Sequence, residues 1–147
     1  MTDRQVSVLL VEDNPGDVRL IREAFRSLQI APALHVASDG VDAIDYLRST
    51  DKSSNPRPDL IILDLSLPRK SGLEVLAEIK TTPEIRQIPV LILSSSAADT
   101  DVHKSYDLHA NSYIVKPADL SQVLNVIKAV SDFWMSTVRL PSVSAPR

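Results

Sequence analysis

The chain has 147 residues, 44% hydrophobic and 24% charged, with a net charge of −3 and no cysteine. One domain of this size buries roughly 70% of its unfolded surface, enough for a core of its own. The acidic balance argues against nucleic acid as the main partner, because neutralising phosphates takes a basic surface. Without cysteine there is no disulfide framework, thiolate metal site or thiol redox chemistry.

Met1 to Val6 is polar and carries no basic segment followed by an apolar stretch, so no secretory signal is expected. The longest apolar runs are four residues, far short of the ~20 needed to span a bilayer. A cytoplasmic protein, with neither membrane nor nucleic acid as partner, is the expectation.

In chain order the first apolar run is Val8 to Val11. A helix follows, with Asn14 as N-cap, Pro15 as first helical residue, and Val18, Ile21, Phe25 and Leu28 at steps of three and four. Leu34 to Ala37 is a weaker strand, and Asp39 caps a second helix with Val41, Ile44 and Leu47 inward. A loop from Ser49 to Pro58, rich in Ser, Asn, Pro and charge, leads to the run Leu60 to Leu63. Gly72 opens a helix with Leu73, Leu76 and Ile79 inward, ended by Pro83. Val90 to Leu93 is the next run, then a helix from Asp99 to Leu108 with Val102 and Tyr106 inward, then the run Tyr113 to Val115. The last helix spans Asp119 to about Trp134 on Leu120, Val123, Leu124, Ile127, Val130 and Trp134, and a Pro/Ser-rich tail follows Leu140. Short continuous runs suit parallel strands buried on both faces, and repeated strand–helix alternation predicts an α/β, doubly wound sheet with right-handed crossovers.

In such sheets ligands bind beyond the carboxyl ends of the strands. Glu12 and Asp13 follow the first run, Asp64 the third, Ser94, Ser95 and Ser96 the fourth, and Lys116 with Pro117 the fifth. Crowded carboxylates repel unless a cation separates them, and an all-oxygen set favours a hard ion such as Mg²⁺. A carboxylate beside Mg²⁺ can attack a phosphoryl group and become an acyl phosphate, with a hydroxyl and an ammonium on its other oxygens.

The stretches VLLVEDN at 8–14, PDLIILDLSLPRKSG at 58–72, IPVLILSSS at 88–96 and SYIVKP at 112–117 resemble the receiver domain of two-component response regulators, over about 6–134. The resemblance implies a flavodoxin-like fold: a five-stranded parallel sheet of order 2-1-3-4-5 with five helices, and a C-terminal extension over 135–147. It implies Asp64 as phosphoacceptor for a histidine kinase, Asp13 on Mg²⁺ directly, Glu12 through water, and the backbone carbonyl of Ser66 as a further ligand. Ser94 would supply the hydroxyl, Lys116 the cation, and Tyr113 an aromatic that turns inward as Ser94 moves. The Lys116–Pro117 peptide would be cis. Such a domain is no turnover enzyme, beyond Mg²⁺-dependent self-phosphorylation and autodephosphorylation. The 49–58 loop and the continuation DFWMSTVRLP are similar to stand-alone response regulators that partner bacterial and cyanobacterial phytochromes.

With only about a dozen residues after Trp134, the signal is expected to leave by protein contact or onward phosphotransfer. Val126, Ala129 and Phe133 make a second apolar stripe on the last helix, expected with Trp134, Val138 and Leu140 to form a homodimer interface. The alternatives are a receiver-like adaptor that is not phosphorylated and an aspartate-based Mg²⁺-dependent phosphatase. A haloacid-type phosphatase needs a second carboxylate where Ser66 stands. A flavodoxin-like cofactor site is opposed by Glu12 and Asp13, which repel phosphate, and the glycines at 16, 40 and 72 make no dinucleotide fingerprint.

Overall fold

The computed structural model describes residues 5–49 and 57–137. Five strands alternate with five helices: β1 (Ser7–Val11), α1 (Pro15–Ser27), β2 (Ala33–Ala37), α2 (Gly40–Arg48), β3 (Leu60–Leu63), α3 (Gly72–Thr81), β4 (Val90–Ser94), α4 (Asp99–Asp107), β5 (Ser112–Val115) and α5 (Leu120–Val130). The sheet is wholly parallel, as the strand–helix alternation predicts, in the order β2-β1-β3-β4-β5 that the family resemblance implies.

Successive strand side chains point to opposite faces, so each strand feeds two cores. Leu9, Ile61 and Ile92 pack with Ile44, Leu47, Leu76 and Ile79 of α2 and α3. Val8, Leu10, Ile62 and Leu91 pack with Ile21 and Phe25 of α1 and with Val123 and Ile127 of α5. Side-chain caps start the helices where the chain leaves the sheet edge. Asn14 accepts from the Asp17 amide, Asp39 from Asp42 and Asp119 from Gln122, while Ser71 and Glu74 form a reciprocal capping box.

Three local expectations are corrected. In α4 the buried residue is Ser105, whose hydroxyl donates to the Asp101 carbonyl at 2.8 Å. Tyr106, expected inward, is 48% exposed, and its hydroxyl accepts from the Tyr113 amide at 3.1 Å. A small residue allows α4 to lie close to the sheet, and the tyrosine covers an edge-strand N–H instead. The last helix is α-helical only to Val130, and Ser131–Thr137 is π-helical. Its wider turn resets the helical phase, and Trp134 and Met135 pack beside the α1–α5 core. The Lys116–Pro117 peptide is trans, the isomer that X–Pro bonds favour by roughly 0.5–1 kcal/mol.

Most of the 49–58 loop, the Leu120 side chain, Val138 and Leu140 lie outside the described residues. Among the described residues no helix is long and apolar enough to cross a membrane.

Candidate functional site

Strand register brings the predicted acids together. Val11 of β1 is opposite Leu63 of β3, so the residues that follow, Glu12 and Asp64, leave the sheet side by side. Both remain tied to it: the Glu12 amide donates to Ala37 and the Asp64 amide to Val11, each at 3.0 Å. Ser94 is the last residue of β4, opposite Val115, and the Lys116 amide donates to its carbonyl at 2.8 Å. Lys116 thus starts further out than Asp64, and its long side chain reaches back over the edge.

Two glycines set the loop after Asp64. A Cβ on Gly72 would stand 2.3 Å from the Asp64 carbonyl oxygen, and one on Gly40 would stand 2.1 Å from that of Lys70. Backbone approaches this close exclude any side chain. They hold the 65–71 loop between the starts of α2 and α3. The Ser66 amide, in that loop, donates to Asp64 Oδ1 at 3.3 Å.

The acids are unequal. Glu12 is 2% and Asp64 5% exposed, whereas Asp13 is on the surface. One oxygen from each of Glu12, Asp13 and Asp64 lies within 4.8 Å of the others. This donor set, all oxygen and open to solvent on the Asp13 side, fits a hard divalent cation that keeps some of its water. Lys116 Nζ sits 2.7 Å from Glu12 Oε1, 2.7 Å from Asp17 Oδ2 and 3.2 Å from Asp64 Oδ2. Burial lifts the Glu12 pKa to about 7, against the hydrogen bond from Lys116 and with help from the Asp64 charge. Burial lowers the pKa of Lys116, but its bonds to Asp17 and Glu12 more than offset this and leave it above an ordinary lysine. The ammonium is charged throughout the neutral range.

On the β4 side the buried Ser94 hydroxyl accepts from the Ser96 amide at 3.3 Å. The Ser96 hydroxyl donates to Asp101 of α4 at 2.6 Å, and its carbonyl accepts from the Tyr113 hydroxyl at 2.8 Å. Ser96 therefore joins the hydroxyl residue, the strand aromatic and α4 in one chain of polar contacts. Tyr113 itself is half-buried against the α2–α3 core.

Sequence reasoning missed Asp17 and Ser96. Asp17 reads as ordinary first-turn acid chemistry at the start of α1, though it follows closely on the Glu12–Asp13 pair. Ser96 was visible only as one member of a serine triplet. Of the expected interface residues, Val126 and Trp134 are half-buried beside the chain's own core, while Ala129 is exposed and Phe133 is 50% exposed.

Residues 8–128 match the family described as "Response regulator receiver domain". The response regulator Rcp1 of Synechocystis sp. is 42% identical over 136 residues, covering 92% of each chain. Among solved structures, the phosphorylated cyanobacterial phytochrome response regulator RcpA superposes with a TM-score of 0.88 at 46% identity, covering 95% of this chain and 100% of that one. The Mn²⁺-bound form of Rcp1 superposes with a TM-score of 0.85 at 41% identity, covering 93% of this chain and 99% of that one.

Proposed function

This chain belongs to the response regulator receiver domain family of two-component signalling, and from that premise we propose that it is switched by phosphorylation of Asp64. The observation that carries the reading is where the Asp64 carboxylate lies: nearly buried, within 3.2 Å of the Lys116 ammonium and in one oxygen cluster with Glu12 and Asp13. Glu12, Asp13, Asp64 and the Ser66 carbonyl would hold Mg²⁺, which supplies charge neutralisation at the phosphoryl oxygens when bound. That Rcp1 has a Mn²⁺-bound form supports binding of a divalent ion.

In transfer from a phosphohistidine, an Asp64 oxygen attacks phosphorus and forms an O–P bond. The P–N bond breaks, its electron pair goes to the imidazole nitrogen, and the ring takes up one proton. The product is an acyl phosphate on Asp64, with about −1.5 to −2 charge on the phosphoryl group. Lys116 and the Ser94 hydroxyl supply donors to it. Drawing Ser94 toward the phosphoryl group pulls on Ser96, and through it on Tyr113 and Asp101, so α4 and the loop before it respond.

The test is intact mass after incubation with Mg²⁺ and acetyl phosphate. Wild type gains one phosphoryl group and Asp64→Asn gains none. A gain in the mutant, or none in wild type, removes the mechanism. Mg²⁺ at about a hundred times its Kd should stabilise the wild-type fold by about 2.7 kcal/mol, and Asp13→Asn, an exposed change, should abolish most of that gain.

The kinase partner we infer is a red-light-sensing histidine kinase, on the strength of the likeness to RcpA and Rcp1. Phosphotransfer from a phytochrome-type kinase that is no faster than from an unrelated kinase would count against it. Signalling is then by protein contact or onward phosphotransfer. A homodimer through the exposed Ala129 and Phe133, the latter edge-on to Trp134 at 5.2 Å between ring centroids, is the matching assembly. Light scattering on Phe133→Asp should then report a monomer, and a wild type that is itself monomeric would refute the dimer.

A further inference from the structure

A lysine ammonium has three N–H donors, and Lys116 faces three carboxylates: Glu12, Asp17 and Asp64. Among the described residues, Glu12 and Asp64 share the oxygen cluster with Asp13, whereas Asp17 stands outside it. A cation in that cluster neutralises Glu12 and Asp64 but leaves Asp17 with Lys116 as its counter-charge. The Asp17 contact, at 2.7 Å, is also shorter than the 3.2 Å contact to Asp64.

On the reading of Asp64 as phosphoacceptor, we propose that Asp17 is a positioning residue that competes with the incoming phosphoryl group for Lys116 and so limits how fast Asp64 is loaded. A phosphoryl group arriving at Asp64 takes over the donor that Lys116 gives Asp64 at 3.2 Å, and drawing the ammonium further onto the phosphoryl oxygens requires one of the other two pairs to give way. Glu12 is a costly one to release, because at 2% exposure no water can replace the donor that Lys116 gives it at 2.7 Å. Asp17 is cheaper: its side chain is 33% exposed and can be hydrated in place. Its backbone stays anchored meanwhile, since the Asp17 amide donates to Asn14 Oδ1 at 3.1 Å in the cap of α1. The arrangement makes Asp17 a releasable counterion, close enough to hold the ammonium in the resting state and exposed enough to let it go.

The alternative role for Asp17 is simple first-turn chemistry on the α1 dipole. That role affects stability but has no reason to depend on Lys116. The experiment follows phosphoryl mass against time with acetyl phosphate and Mg²⁺, with thermal melts to establish that each variant is folded. Asp17→Asn keeps size and cap but removes the charge, and loading should accelerate roughly threefold to tenfold, discounted for the partial exposure of the pair. Asp17→Glu, which keeps the charge, should load at a rate close to wild type. In a Lys116→Met background the Asp17→Asn change should give no acceleration, a coupling that a purely structural role would not produce. Loading by Asp17→Asn at or below the wild-type rate, or equal acceleration without Lys116, overturns the proposal. Wild type that never loads would instead remove the phosphoacceptor reading beneath it.

Discussion

From Val8 to Val11 and from Leu60 to Leu63 no residue is more than 3% exposed, whereas in β5 the residues Ser112 to Ile114 are half-buried and Val115 is 46% exposed. β1 and β3 each pair on both sides, and the acids that extend them donate their amides to the neighbouring strand. β5 pairs on one side only. Two groups of Tyr113 are met by a side chain and a loop: its amide by the Tyr106 hydroxyl, its hydroxyl by the Ser96 carbonyl. Under the proposed phosphorylation of Asp64, the difference would serve two mechanical demands. Carboxylates that share a metal need fixed spacing, and buried central strands provide it. Groups that report a new charge must move, and movement is cheap where few apolar contacts have to be broken.

Ile61→Ala in β3 should give the largest effect, about 2–5 kcal/mol of lost stability in urea titration, as for a fully buried aliphatic side chain. Gly72→Ala comes next. Its methyl would meet the Asp64 carbonyl and the Leu65 Cα, and overpacking of that kind costs roughly 1–3 kcal/mol. It should also weaken Mg²⁺ binding in calorimetry, because the loop that aims Asp64 must shift; unchanged affinity would mean the loop does not set the site. Tyr113→Phe removes one hydrogen bond, to Ser96, at about 0.5–1.5 kcal/mol. Its signature should be faster amide exchange at 95–101, with β1 and β3 protected as before. Val115→Ala on the exposed edge should fall within about 0.5 kcal/mol of wild type. Equal losses for Ile61→Ala and Val115→Ala, or exchange that rises uniformly across the sheet in Tyr113→Phe, would erase the contrast between the two halves.

The electrostatics divide along the same line. Glu12 is buried with Lys116 as its partner, and removing that partner by Lys116→Met leaves a carboxylate in a desolvated place. The Glu12 pKa, already lifted by burial, should then rise further, because the hydrogen bond and charge that opposed the rise are gone. On the α4 side Asp101 is half-exposed, so water can solvate it if its 2.6 Å bond from the Ser96 hydroxyl opens.

Four strand runs and the residues at their ends were legible in the sequence because parallel strands joined by right-handed crossovers must all finish at the same edge. That rule alone carries Glu12, Asp64, Ser94 and Lys116 toward one place, before any side chain is positioned. Helix starts at Asn14, Asp39 and Asp119 were legible for a local reason: a short polar side chain before an apolar-periodic segment satisfies its own first-turn amides. Tertiary structure decided what depends on the phase of a helix against the sheet. It turned Tyr106 outward and Ser105 inward, brought Asp17 onto Lys116 from α1, and made Ser96 the link between β4, β5 and α4. It also half-buried Val126 and Trp134 beside the chain's own core. Sequence spacing sets which residues share a face. Only packing sets what that face meets, because a rotation of one helix by part of a turn exchanges its partners while leaving every local preference satisfied.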